Sequence, residues 1–481
     1  MDGSDRHALE RIARDAMRAH GLEPDFPPQA RAQVARAAAP ALNGIRDLRS
    51  LPWSSIDNDD SRDLDQLELV VDEGENARLL VAIADVDAIV SKASAIDAHA
   101  ATNTTSVYTP AIVFPMLPLE LSTDRTSLNE GEDRAAIVVD MTVARDGTLA
   151  GADLYRALVH NHARLTYTAV AAWLDGAGPA PSSFAVAPGL DEQVRTQDRI
   201  ARQLQARRDE EGALDFDRSE LRPVVDDRGV RELRTERPNR AKEVIENFMV
   251  AANGVTARFL SSRGLAGIRR VVRSPDRWPR IVELAARHGG TLPSEPDAKA
   301  LQQFLKQQRV QAPDEFDDLS LSVIKLLGRG EYVAERGGDA SRHFALAAGS
   351  YTHSTAPNRR FPDLVTQRLI KAALAGASPP YALPELTQLA EHCTRQEDAA
   401  NKVERLTKKA AAALLLADRI GEVFDAVVTG AGPKGTWVRL FRMPIEGRLE
   451  RGAEGLDVGD RLRARLIGTD PARGFIDFVR A

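Results

Sequence analysis

Five aspartates, Asp57, Asp59, Asp60, Asp63 and Asp65, crowd into nine residues of the stretch Trp53-Ser-Ser-Ile-Asp-Asn-Asp-Asp-Ser-Arg-Asp-Leu-Asp-Gln-Leu-Glu68. Carboxylates at this density repel one another, and each repulsion costs stability unless a cation offsets it. Hard oxygen donors suit Mg²⁺ or Mn²⁺, the ions that handle phosphates. The same composition also makes a solvated acidic loop, so composition alone leaves both readings open.

Counted from Asp57, the positions Asp57, Asp59, Ser61, Asp63, Asp65 and Glu68 approach the spacing of a Ca²⁺-binding EF-hand loop. That loop needs Gly at its sixth position and a helix on each side. Here Arg62 takes the sixth position, Pro52 lies just upstream and a strand pattern follows, which sets the EF-hand aside.

A second stretch, Tyr351-Thr-His-Ser-Thr-Ala-Pro-Asn-Arg-Arg-Phe-Pro-Asp, places Arg359 and Arg360 between a proline turn and a helix expected to open near Pro362. Guanidinium groups at a helix amino terminus suit anions, phosphate in particular. Beside carboxylates that could hold divalent ions, they complete the parts for phosphoryl transfer: metal to activate water, arginine to steady developing charge.

The elements around these stretches read as an α+β chain. Residues 5–20 predict an amphipathic helix stopped by Gly21, and Gln29 to Ala39 a second. Residues 50–160 read as strands, with Leu79 to Val90 a nearly continuous apolar run. Tyr108 lies in a proline-locked loop and serves either the core or as a stacking surface. Residues 190–212 and 240–310 read as largely helical, and helices resume to about residue 421. Five short strands with Gly-rich turns then predict a small barrel of the OB type, with Trp437 and Phe441 placed to stack on single-stranded nucleic acid or to fill the core.

The 481 residues suffice for two to four domains, with 43% hydrophobic and 28% charged residues, as in ordinary soluble proteins. No secretory signal is visible, and the longest apolar stretch, Ala410 to Ala417, is too short for a bilayer. Cys393 stands alone, which excludes an internal disulfide and fits a reducing cytoplasm. A net charge of −6 neither advertises nor excludes a nucleic-acid binder, since a basic channel can sit inside an acidic shell.

Six motifs in order resemble the RNB-domain exoribonucleases, the ribonuclease II and ribonuclease R group: Ile56-Asp-x5-Asp-Leu-Asp, Val81-Ala-Ile-Ala-Asp-Val, Thr105-Ser-Val-Tyr with Pro115-Met-Leu-Pro, Gly212-Ala-Leu-Asp-Phe216, Ile245-Glu-Asn-Phe-Met-Val-Ala-Ala-Asn253, and Tyr351-Thr-His through Asp363. The resemblance implies a small helical module over 1–45, a catalytic RNB domain over 46–421 built from mixed sheet and helices, and an OB-fold RNA-binding barrel over 422–481. It implies hydrolysis of RNA from a single-stranded 3′ end to 5′-monophosphates with Mg²⁺ or Mn²⁺, by a cytoplasmic monomer. By its motifs Asp57, Asp63, Asp65 and Gln66 hold the metal, Asp65 and Arg359 serve cleavage, and Tyr108 and Phe216 clamp the last bases. Glu246 touches ribose, Glu404 lies near the substrate end, and Arg360 and Trp437 add RNA contacts.

This chain departs from the family at two points. Gln66 replaces the second of two successive aspartates, which keeps a carbonyl oxygen but removes a full charge, with Asp59 or Asp60 as candidates to take over. Ahead of the catalytic domain the sequence leaves no room for the usual paired cold-shock barrels, so wider access, including structured RNA with a 3′ overhang, is expected. The rivals are an RNA-binding protein inactivated through Gln66, and an endonuclease.

Overall fold

The computed structural model describes the chain apart from residues 1–3, 39, 41, 43, 186, 217–219, 227–228, 338–342, 347–348, 434, 442 and 444. Helix α1 (Ser4–Ala19) buries Leu9, Ala13, Ala16 and Met17, the stripe its periodicity predicts. Helix α2 (Pro28–Arg36) follows, with proline in its first turn, and ends short of Ala39 because Ala37 is extended.

The centre is a seven-stranded mixed sheet. Its first strands are β1 (Arg46–Asp47), β2 (Ser54–Asp57), β3 (Gln66–Asp72) and β4 (Asn76–Ala84). The apolar run expected to reach Val90 leaves the sheet after Ala84, where Asp85 accepts from Arg156 Nε at 3.2 Å and Lys371 Nζ at 2.8 Å. Helix α3 (Ala95–Asn103) interrupts the expected strands, capped by Ser94 Oγ, which accepts from the Asp97 N–H at 3.2 Å. A short ribbon, β5 (Val107–Tyr108) with β6 (Val113–Phe114), carries Tyr108, and β7 (Asp133–Ala144), β8 (Leu149–His160) and β9 (Ala163–Thr166) complete the sheet. Its order is β1-β8-β7-β4-β3-β2-β9, parallel at the β1–β8 and β2–β9 pairs and antiparallel elsewhere.

Helices α4 (Tyr167–Leu174) and α5 (Leu190–Glu211), the hairpin β10 (Glu220–Asp226) and β11 (Gly229–Glu236), and α6 (Arg240–Ser262) follow. The region expected to be helical to residue 310 is broken by β12 (Ala266–Val271), which pairs with the later β13 (Glu331–Arg336); between them α7 (Trp278–Arg287), α8 (Ala298–Gln311) and α9 (Pro313–Leu327) bury a core of their own around Trp278 and Phe316. Helix α10 (Phe361–Leu374) opens with Pro362 in its first turn, as expected, and the long α11 (Leu383–Leu416) closes this part.

The five expected strands form a closed barrel, β14 (Val423–Gly432), β15 (Gly435–Leu440), β16 (Glu446–Arg451), β17 (Arg461–Asp470) and β18 (Phe475–Arg480), in the order β14-β15-β16-β18-β17. Val428, Val438, Leu466 and Phe478 fill it, and Ala412, Ala413 and Leu416 of α11 extend the same core. Gly474 (φ +66°) lets a barrel turn meet α11, where a Cβ would stand 2.9 Å from Lys409 Cβ. No helix among the described residues is long and apolar enough to cross a membrane.

Candidate active site

The loop after α3 is bound to the arginine segment by its backbone. Ser106 N–H donates to Arg359 O at 3.0 Å, and Phe361 N–H to Thr104 O at 2.8 Å. These bonds bring Tyr108 and Arg359 to one place. The buried carboxylate of Asp65, at the entry to β3, accepts from the Asn358 N–H at 2.9 Å and from Arg359 Nε at 3.1 Å. Burial, only partly offset by Arg359, pushes the Asp65 carboxyl up to about 7. The Arg359 side chain keeps 46% of its surface accessible. Burial alone would lower its guanidinium, but Asp65, Tyr108, Asp63 and Asp57 hold it firmly charged.

Ser61 joins the other two metal candidates. Its hydroxyl lies 3.1 Å from Asp57 Oδ2 and 3.4 Å from Asp63 Oδ1. Asp63 Oδ2 accepts from the Tyr108 hydroxyl at 3.1 Å, while the Tyr108 N–H donates to Glu404 Oε1 at 3.0 Å. Tyr108 is therefore not a core residue: 39% exposed, its ring is presented beside the carboxylates. Burial raises the carboxyl of Asp57 above the ordinary range. Asp59 and Asp60 turn outward, to the Thr168 hydroxyl at 3.3 Å and to the Arg222 guanidinium of β10, so neither joins the cluster.

Gln66 is buried at the start of β3. Two residues on, Glu68 is fully buried, and burial with the nearby Asp57 charge raises its carboxyl well above the ordinary range. The Tyr351-Thr-His segment is tied to α6 through Asn253, which donates to the Tyr351 hydroxyl at 3.1 Å and accepts from the Ser354 N–H at 2.9 Å. His353 lies 2.8 Å from the Tyr332 hydroxyl, and burial, with Arg360 and Arg270, keeps its ring neutral.

The remaining sequence candidates lie outside this hydrogen-bonded group. Arg360 turns to Asp363 at 2.7 Å and braces the start of α10. Phe216 packs on the α7–α9 core, half-buried. Glu246, on α6, pairs loosely with Arg208 at 3.9 Å and is 64% exposed in its side chain. Trp437 alternates with the inward Thr436 and Val438 and so stands half-buried on the outer face of the barrel, against Gly430. Sequence reasoning named Ser61 and Glu68 only as positions of the EF-hand loop it set aside, and gave Asn358 no role; Ser61 and Asn358 are small polar residues beside charged ones inside quoted motifs.

Residues 45–376 match the family model of the RNB domain, and residues 422–481 that of the RNase II-type exonuclease C-terminal S1 domain. The chain belongs to the RNB family. Among curated RNB relatives, ribonuclease R of Thermotoga maritima is 31% identical over 491 residues, covering 94% of this chain and 67% of that protein. Ribonuclease R of Escherichia coli K12 is also 31% identical, covering 94% of this chain and 57% of that protein. The chain thus spans between about half and two thirds of the length of these relatives.

Solved structures share the fold. Mycoplasma genitalium RNase R in complex with ribose-methylated single-stranded RNA superposes with a TM-score of 0.89 at 22% identity, over 99% of this chain and 78% of that one. Yeast Ssd1, a pseudonuclease, superposes with a TM-score of 0.72 at 17% identity, over 92% and 55%. The RNB fold alone therefore does not decide activity; the side chains do.

Among the described residues no three acidic, histidine or cysteine side chains converge as ligands for one ion. Mg²⁺ does not require that: it is commonly held by one or two carboxylates, with water and substrate phosphates completing its shell. The all-oxygen donors of Asp57, Asp63, Asp65 and Gln66, the raised carboxyls of Asp57 and Asp65, and the charged Arg359 beside them fit such an ion and a phosphate.

Proposed function

We propose that this chain hydrolyses RNA from a single-stranded 3′ end, one nucleotide at a time, releasing 5′-mononucleotides in RNA turnover or processing. The observation that carries the reading is the Asp65–Arg359 contact at 3.1 Å, which orients a guanidinium held charged among the carboxylates. Bound by Asp57, Asp63, Asp65 and Gln66, Mg²⁺ or Mn²⁺ would supply Lewis acidity and a hydroxide at neutral pH.

The chain's own groups account for the rest. Asp65 holds Arg359 through Nε, which leaves the other guanidinium nitrogens to steady charge on the phosphate as it is attacked. Tyr108, fixed at its hydroxyl by Asp63 and at its backbone by Glu404, offers its ring to a terminal base, and such stacking tolerates any sequence. Phe216 is the second face of that clamp. Glu246, exposed on α6, contacts ribose hydroxyls and thereby separates RNA from DNA. Trp437 grips RNA further from the end, and Arg360, beside Arg359 and paired with Asp363, adds a contact to RNA. The protein works as a cytoplasmic monomer on RNA, including duplexes with a 3′ overhang.

A second reading, an RNA-binding protein without turnover, is favoured by Gln66, which carries no charge where the motif has an aspartate. The length pattern of a 5′-labelled RNA separates the readings. Stepwise shortening to a core of a few nucleotides supports the exonuclease. Internal fragments mean an endonuclease, and intact RNA that shifts on a native gel means a binder.

A further inference from the structure

Among the described residues, Glu68 is the only carboxylate whose two oxygens are both buried and without a hydrogen-bond partner. Its surroundings do not otherwise accommodate a charge. Gln66 and Val70, its neighbours on the same face of β3, are both buried. Ser54, directly opposite on β2, has a hydroxyl that is equally buried and unpartnered. A polar group left unbonded in a core is costly, and each such case calls for a partner to be identified.

Position supplies one. Glu68 lies two residues beyond Gln66 on β3, so both side chains leave the strand on the same face, with Cα atoms about 7 Å apart. Asp57 closes β2, the strand that pairs with β3 through Ser54 and Glu68, and its charge acts on Glu68. Asp59 and Asp60, the other acidic residues at hand, are engaged elsewhere. Glutamate is one methylene longer than aspartate and can lean along the strand toward the Gln66 side chain.

We propose that Glu68 is a ligand of the divalent cation held at Asp57, and that it returns to strand β3 the negative charge that Gln66 does not carry. The amide oxygen of Gln66 then acts as a neutral donor, with the charge moved two residues along the strand. The ion is hard and oxygen-loving, of the Mg²⁺ or Mn²⁺ class. This inference rests on the metal-dependent reading above but concerns binding of the ion, which can be measured apart from hydrolysis.

The experiment is a Mn²⁺ titration of metal-stripped full-length protein, followed by the electron paramagnetic resonance signal of free Mn²⁺, with and without a ribose-methylated single-stranded RNA. Wild type, Glu68→Gln, Glu68→Leu and the double variant Gln66→Asp/Glu68→Gln are compared, and metal-free melting temperatures establish that each is folded. Glu68→Gln and Glu68→Leu should weaken Mn²⁺ binding by at least about 10-fold, as loss of a metal-supporting carboxylate does, while the double variant regains it. Wild-type affinity in Glu68→Gln overturns the proposal and leaves Glu68 a protonated or water-bonded core residue; so does a wild type that binds no Mn²⁺ under either condition. RNA cleavage by the same samples keeps the two readings apart. A wild type that binds Mn²⁺ through Glu68 but cleaves nothing sinks the nuclease alone, and a wild type that cleaves while Glu68→Gln binds normally sinks the Glu68 assignment alone.

Discussion

Asp65 and Arg359, 294 residues apart in the chain, meet through an Nε–H···Oδ2 bond of 3.1 Å. The neighbouring Asn358 N–H donates to the other oxygen of the same carboxylate. One aspartate thus fixes both the arginine side chain and the turn that presents it, so the acidic loop and the arginine segment form one unit.

Replacing Arg359 should therefore act on the chemical step. Arg359→Ala is expected to lose about 10²-fold or more in single-turnover rate, the scale of removing one donor to a developing oxyanion, with RNA affinity much less affected. Arg359→Lys should recover little, because an ammonium cannot accept the Asp65 orientation through Nε while reaching phosphate with two further nitrogens. A rate within a few-fold of wild type in either variant would remove Arg359 from the site.

Tyr108 separates stacking from hydrogen bonding. Tyr108→Phe loses only the bond to Asp63 and should retain most activity and the same end-product length. Tyr108→Ala loses the ring, worth about 1–3 kcal/mol per stacked base, and should leave a longer core of undegraded RNA. Denaturing gels of the limit products read both effects; identical limit products for Ala and Tyr would contradict the clamp.

The sequence reveals its local patterns more readily than the distances between them. The acidic motif, the Arg359 turn, the stripe of α1 and the five barrel strands are each encoded within a few turns or strands, so periodicity and turn residues identify them. Helix α3 carries a local signal that the strand reading of 50–160 passes over, a capping pair in which Ser94 Oγ accepts from the Asp97 N–H and the Asp97 carboxylate accepts from the Ala93 N–H. Other facts depend on tertiary packing and leave no local mark: that Asp59 and Asp60 turn to Thr168 and Arg222, that Phe216 packs on a separate helical core, and that Glu68 is buried. A glutamate in an alternating strand reads as its solvent face, whereas here α5 lies against β3, with Gln193 and Gln197 donating to the carbonyls of Val70 and Glu68.

The raised Asp65 carboxyl has a consequence for stability. Its folded value of about 7 stands against about 4 in an unfolded chain, so the native state holds this proton more tightly. The contribution is fully present below about pH 4 and is lost as pH rises through about 7. Asp57, also raised by burial, acts in the same direction. In chelator, the melting temperature should fall between about pH 5 and about pH 8, and Asp65→Asn should flatten that slope. An unchanged slope in the variant would show that other groups govern it.

On the barrel, Trp437→Ala should weaken binding of long single-stranded RNA by roughly 10-fold, one stacking contact, while turnover of an RNA too short to reach the barrel stays unchanged. Equal losses on long and short RNA would place Trp437 in folding instead of grip, and its melting curve would report that directly.

The most direct measurement is the product released from a 3′-end-labelled single-stranded RNA by wild type and by Asp65→Asn, side by side, with Mg²⁺, with Mn²⁺ and with chelator. The account predicts labelled 5′-mononucleotide from wild type in either metal, none in chelator, and none from Asp65→Asn although it still shifts the RNA on a native gel. Mononucleotide release by Asp65→Asn at the wild-type rate, or none from wild type under any metal, would contradict it.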